Sequence, residues 1–208
     1  MADSFPVEGF DDWAETYDDS VATDQFPFIG YGDLLKTMVA LVEPSPGESV
    51  LDLGTGTGNL AIRLAQAGCD LWCTDFSEPM LAKARLKLPD AQFFLHDLHA
   101  PLPPELERPF DRIVSAYVFH HFELEVKVCI LRGLSTHLAR GGYFVIGDIA
   151  FPDAAGLVQV RKAAGGEWEE EFYWLADEVL PELGKAGLPA RYMQVSSCAG
   201  IFVICIDI

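Results

Sequence analysis

Short apolar runs alternate with amphipathic stretches along most of the chain. "SVLDLG" (49–54), "DLWCTD" (70–75), "AQFFLHDL" (91–98), "FDRIVSAYV" (110–118) and "YFVIGDIAF" (143–151) are dense in apolar, β-branched and aromatic residues and predict five strands. Between the first two, Leu60, Ala61, Leu64 and Ala65 recur at helical spacing within 59–67, and Gly68 ends that helix. Ser77 is placed to cap a helix running to about Leu88, with Pro79 in its first turn. A helix over 124–138, closed by Gly141 and Gly142, separates the fourth and fifth strands. Two further helices, "FDDWAETYD" (10–18) and 30–43, precede everything else.

After the fifth strand the pattern weakens. Residues 152–175 read as irregular or helical, rich in glutamate and aromatics. A helix over 176–186 follows, with Pro181 expected to delay or bend its start. "RYMQVSS" (191–197) and "GIFVICI" (200–206) predict two last strands. The gap between them is so short that it demands a hairpin, so the last strand should run antiparallel. Strands alternating with helices imply a mostly parallel sheet covered on both faces, with ligands beyond the carboxyl ends of its strands. The expectation is one α/β domain over 1–208, with a helical cap (1–44) and a doubly wound, seven-stranded core (45–208).

Composition adds bounds. A chain of 208 residues, half of them hydrophobic, can bury one sizeable core. A net charge of −18 disfavours nucleic-acid partners. No apolar run is long enough to span a bilayer, and the acidic start does not have the build of a signal peptide, so a cytoplasmic location is expected. Five cysteines without a C-x-x-C read as reduced core residues. His96 and His99 form an H-x-x-H beside Asp97, but no thiol or histidine cluster accompanies them, and no metal is expected.

The chemistry concentrates in "LDLGTGTGNL" (51–60), where Gly54, Gly56 and Gly58 alternate with threonines between a strand and a helix. One glycine would make a turn. Three admit a ligand close to the backbone, at a helix start that offers free N–H groups. A Walker loop would need Lys where Asn59 stands. Gly56-x-Gly58-x-x-Ala61 does satisfy the loose dinucleotide form, and Asp75 follows at the spacing of a ribose-binding acid, so a NAD-dependent oxidoreductase is a rival reading.

Asp52 at the first strand end, Asp97 at the third and the closing hairpin extend the pattern beyond a dinucleotide site. With the glycine loop and Asp75 they resemble the class I S-adenosylmethionine-dependent methyltransferases, a Rossmann-like family, over essentially the whole chain. "FDDWAETYD" and "SAYVFHHF" (115–122) resemble, more narrowly, the YrrT-type small bacterial methyltransferases. The resemblance implies S-adenosylmethionine (SAM) as cofactor, with Gly54, Thr55, Gly56 and Gly58 curling around its methionine part. It implies Asp75 on the ribose hydroxyls, Phe76 on adenine, Asp97 with Leu98 at the adenine amino edge, and Met80 among the cofactor-binding residues. Asp52 would lie near the ammonium, Tyr17 near the methionyl end, and Ala116 at the fourth strand end.

An in-line displacement on a sulfonium needs alignment more than acid–base groups, and only an acceptor that loses a proton needs a base. The Asn-Pro-Pro-Tyr type sequence used on amide and base nitrogens is absent after the fourth strand, so a small-molecule acceptor is expected. His120 and His121 are the candidate bases, with at most one facing the acceptor. Trp13, and Trp168, Tyr173 and Trp174 from "GGEWEEEFYW" (165–174), are candidate acceptor contacts, and Glu170 or Glu171 would suit a cationic one. The chain is expected to act as a monomer or homodimer. A SAM-binding sensor or partner subunit without transfer activity is the other alternative.

Overall fold

The structure is a computed structural model that describes residues 7–206. Residues 1–6 of the expected cap and the last two residues of the core lie outside the described residues. The alternation of strands and helices folds as one mixed sheet in the order β3-β2-β1-β4-β5-β8-β7. Its strands are β1 (Ser49–Leu53), β2 (Asp70–Asp75), β3 (Gln92–Leu95), β4 (Phe110–Ala116), β5 (Leu138–Phe151), β7 (Ala190–Gln194) and β8 (Ala199–Cys205). The pairs β1–β2, β2–β3, β1–β4 and β4–β5 are parallel, and β8 lies antiparallel to both β5 and β7. An eighth, two-residue strand, β6 (Trp174–Leu175), pairs with the end of β5. It falls inside the stretch whose pattern was too weak to assign.

Residues alternate between the two faces of the sheet. Val50, Cys73, Val114 and Val145 face one core with α3 (Tyr31–Val42) and α4 (Ala61–Gln66). Leu51, Trp72, Ile113 and Phe144 face the other with α6 (Leu124–Ser135) and α8 (Ala176–Lys185). Ser77 caps α5 (Glu78–Lys87), its hydroxyl accepting from the Met80 N–H at 3.3 Å. Asp153 caps α7 (Ala154–Ala164) by accepting from the Gly156 N–H at 2.8 Å.

Four boundaries differ from expectation. The first helix is broken into α1 (Val7–Trp13) and α2 (Tyr17–Ser20) by a turn. The third strand stops at Leu95, so Asp97 stands in the loop beyond it. The helix before β5 stops at Ser135 rather than Leu138, and β5 runs through Gly141 and Gly142, with a register shift against β4 where the glycines sit. Pro181 lies inside α8, which starts at Ala176 without delay. No helix among the described residues is long and apolar enough to cross a membrane.

Candidate active site

The strand order reverses between β1 and β4, and the carboxyl ends of β1–β5 share one edge of the sheet. There the structure forms a partly open cavity of about 1000 Å³. Gly54, Thr55 and Gly56 form one part of its wall, with Asp52, Asp75, Phe76, Met80, Asp97, Leu98 and Ala116. Phe10, Trp13 and Tyr17 of the N-terminal helices form another. His120, His121, Glu171 and Tyr173 close the far end.

The three loop glycines all have positive φ, but their missing side chains serve different purposes. A Cβ on Gly54 would stand 2.4 Å from Val118 Cγ2, and one on Gly58 would press on Ala84 and Leu88. Only at Gly56 would a Cβ enter open space. Gly58 does not line the cavity, so its expected cofactor contact is replaced by a packing role against α5. The loop N–H groups are also less free than expected. Thr55 N donates to Thr74 O at 2.8 Å, Gly56 N to Asp75 Oδ2 at 2.8 Å and Gly58 N to Thr55 O at 2.9 Å.

Asp75 therefore shapes the loop itself. Its Oδ1 accepts from the Ser77 N–H at 2.9 Å. Each carboxylate oxygen keeps a further acceptor position. Burial pushes its pKa up to about 6, against the pull of those N–H donors. Asp52 is buried beneath the loop and accepts from Thr55 Oγ1 at 2.7 Å. Burial, with a smaller contribution from Asp75, lifts it to about 7. Two buried carboxyls at low dielectric with no cation hydrogen-bonded to them are suited to a cationic, hydroxyl-bearing ligand. Tyr117 Oη and His96 Nε2 point the same way: both are buried on the cavity and have no protein partner. Tyr117 also holds φ +58°, a strained value for a tyrosine, at the end of β4. Tyr117 is not evident in the sequence as a site residue, and His96 stands out only as part of the H-x-x-H.

The cap is pinned to this floor by its acids. Asp11 Oδ1 accepts from Ser77 Oγ at 2.6 Å. Asp18 accepts from Thr57 Oγ1, Asn59 Nδ2 and Lys87 Nζ at 2.6–2.9 Å. Trp13 and Tyr17 meet edge to face, and Tyr17 packs likewise on Phe28.

At the far end, β5 outruns β4, which stops where Ala116 pairs with Gly147. The turn that follows β4 folds His120 back over Asp148. Asp148 is fully buried and accepts from four donors: His120 Nδ1 (2.5 Å), His120 N (3.0 Å), Trp174 Nε1 (2.9 Å) and Ile149 N (2.8 Å). Despite burial, His120, Trp174 and nearby Lys127 hold its pKa below the ordinary carboxylate value. Burial works to lower His120, but Asp148 and then Glu171 outweigh it and raise its pKa. Burial and the adjacent His120 lower that of His121. Lys127 is buried, donates to Phe172 O, and is pushed down to about 8 by desolvation.

Three expectations need correction here. Trp174 does not reach the cavity; it is fully buried in the core behind it, drawn there by Asp148 and by stacking on Phe202. Trp168 is one layer back, stacked on Phe26, which does line the cavity. His120 and His121 both line it, because the tight turn (119–121) turns both rings toward Glu171. Glu171 faces the cavity, whereas Glu170 pairs with Arg161 outside it. In the H-x-x-H, Asp97 accepts from His99 Nδ1 at 2.9 Å, and His96 does not join it.

Comparison with known proteins agrees with this architecture. Residues 50–142 match a methyltransferase domain model. An uncharacterized methyltransferase of Geobacillus sp. (strain WCH70) is 36% identical over 82% of this chain and 78% of its own length. The uncharacterized methyltransferase YrrT of Halobacillus halophilus is 27% identical over 93% of both chains. Among solved structures, the magnesium protoporphyrin IX methyltransferase of Synechocystis PCC 6803, crystallised with SAH, superposes with a TM-score of 0.71 at 21% identity, covering 97% of this chain and 99% of that one. Nicotinamide chemistry and a sensor without transfer activity are not favoured by these relatives. The chain is similar to YrrT and belongs to the class I S-adenosylmethionine-dependent methyltransferases.

Proposed function

We propose that the chain transfers a methyl group from SAM to a small molecule held between the glycine loop and the His120–His121 turn. One observation carries this reading: one partly open cavity joins two buried acids around the open face of Gly56 to a separate polar end. Its volume is at the upper end of small-molecule sites, about 300–1000 Å³, which suits a cofactor and a modest acceptor side by side. The aromatic cap over the cavity and the strongly acidic chain both argue against a nucleic-acid acceptor.

The residues present fit the cofactor. Asp75 would take the ribose hydroxyls with its remaining acceptor positions, and Phe76 and Met80 would flank adenine, with Asp97 and Leu98 at its edge. Asp52 would balance the ammonium, with Thr55 and Gly54 beside it and Tyr17 over the methionyl end. When bound, SAM supplies a methyl group on a good leaving group. The protein's part is then to align the acceptor, through His120, His121, Glu171, Tyr173 and Trp13, and to exclude water beneath the cap. Purified protein incubated with methyl-labelled SAM and a metabolite extract should yield S-adenosylhomocysteine and a labelled compound of low mass. Tight SAM binding with no label transferred to any small molecule would favour a sensor, and label found only in protein or nucleic acid would overturn the small-acceptor reading.

A further inference from the structure

Three potential metal ligands meet at the far end of the cavity. His120 Nε2 stands 3.2 Å from one oxygen of Glu171, and His121 Nδ1 stands 3.4 Å from the other. Ligand atoms of all three lie within 4.8 Å of one another. Charge-assisted N–H···O bonds are shorter, about 2.7–2.9 Å. Both separations here exceed that, and one atom from each residue lies within 4.8 Å of the others, close enough to converge on one ion.

The orientation of His120 supports the same conclusion. Its Nδ1 contacts Asp148 Oδ1, and a carboxylate only accepts, so Nδ1 carries the hydrogen. Nε2 faces the Glu171 carboxylate, where either the second proton of an imidazolium or a metal ion that displaces it supplies the positive charge. A buried carboxylate behind a histidine, fixing its tautomer and ring, is the arrangement that supports histidine ligands in metal sites. Glu171 is held as firmly: the next residue's N–H, Phe172 N, donates to His120 O at 3.0 Å, and Lys127 Nζ secures Phe172 O.

We propose that His120, His121 and Glu171 bind one divalent transition-metal ion of the zinc class, in contrast to the sequence expectation of no metal. Two histidines and one carboxylate form a three-ligand set that leaves coordination positions open. All three residues line the cavity, so those positions face the space assigned to the acceptor, for which a hydroxyl, thiol or carboxylate is the matching donor. The binding of the ion does not depend on the methyl-transfer reading; its service to the acceptor does.

The test uses full-length protein stripped with a chelator and kept free of SAM. Zinc titrated by calorimetry should bind at one ion per chain. Cobalt(II) should give visible ligand-field bands of a four- or five-coordinate ion. Glu171→Gln, which keeps the shape of the side chain, and His121→Ala should each weaken zinc by at least about 100-fold, the upper end of what losing a supporting residue alone costs, with circular dichroism unchanged. Wild-type protein that takes up no stoichiometric ion overturns the proposal, as do both variants binding as the wild type does, which would move the ion to exposed Cys129 or Cys205. SAM titrated into the stripped protein separates the two readings: SAM binding without zinc binding sinks the metal site alone, and zinc binding without SAM binding sinks the cofactor reading alone.

Discussion

Gly56→Val should abolish SAM binding in a protein that still folds. The position lines the cavity, and a Cβ there meets no protein atom within 4 Å, so the cost to the fold is chiefly the strain of φ +54°. That strain costs roughly 1–2 kcal/mol, a tolerable loss for a domain of ordinary stability. The volume it fills is the volume assigned to the methionine part of the cofactor. Gly54→Ala should behave in the opposite way. Its Cβ collides with the stiff side chain of Val118, so the melting temperature should fall, and Val118→Ala should restore part of it. Asp75→Ala removes the acceptor of the loop donors and of the ribose hydroxyls proposed for it, and should weaken SAM by about 1.5–3 kcal/mol, roughly 10- to 150-fold. Calorimetry and thermal melts on the set check the assignments. Wild-type SAM affinity in Gly56→Val would remove the glycine loop from the site.

The second large effect is expected at Asp148. Alanine there strips a buried carboxylate of four donors and leaves the Trp174 N–H and the His120 ring unsatisfied in the core. Removing one member of such a buried charged network costs about 3–5 kcal/mol. For a chain of this length that lowers the melting temperature by about 6–20 °C. Asp148→Asn keeps acceptor capacity and should recover part of the loss. A melting temperature for Asp148→Ala within about 2 °C of wild type, less than 1 kcal/mol, would show that the network contributes little to folding.

How far these features can be read from the chain depends on their range. Gly54, Gly56, Gly58 and Asp75 announce themselves by local spacing, and the Ser77 cap lies next to its helix. The parallel order with an antiparallel last strand follows from loop lengths. His120, Asp148, Glu171 and Trp174 belong together for reasons that no local pattern carries, since 26 residues separate Asp148 from Trp174 and 28 separate it from His120. Trp174 reads as an acceptor contact because its segment follows the fifth strand on the ligand side and mixes glutamates with aromatics. Its place in the core depends on a two-residue strand and a buried acid on β5. The helix before β5 misleads for another reason. Gly141 and Gly142 look like a helix stop, yet a strand can carry them where its ladder is already irregular.

With the ammonium of SAM beside it, as proposed, the burial of Asp52 would make cofactor uptake a proton-linked event. A carboxyl held near pH 7 in the free protein is partly protonated at neutral pH. A ligand ammonium placed beside it favours the ionised form, so binding expels a fraction of a proton to the buffer. The same raised pKa sets the sign for the fold. Asp52 is most compatible with the folded, ligand-free state below its ordinary value of 3.8 and becomes a growing penalty as pH climbs toward 7, the window over which the unfolded chain ionises first. The heat of SAM binding at pH 7 should therefore vary with the ionisation enthalpy of the buffer, and Asp52→Asn should remove most of that variation while raising the melting temperature of the ligand-free protein. An observed heat that is the same in phosphate and Tris would mean that Asp52 binds and releases no proton when the cofactor arrives.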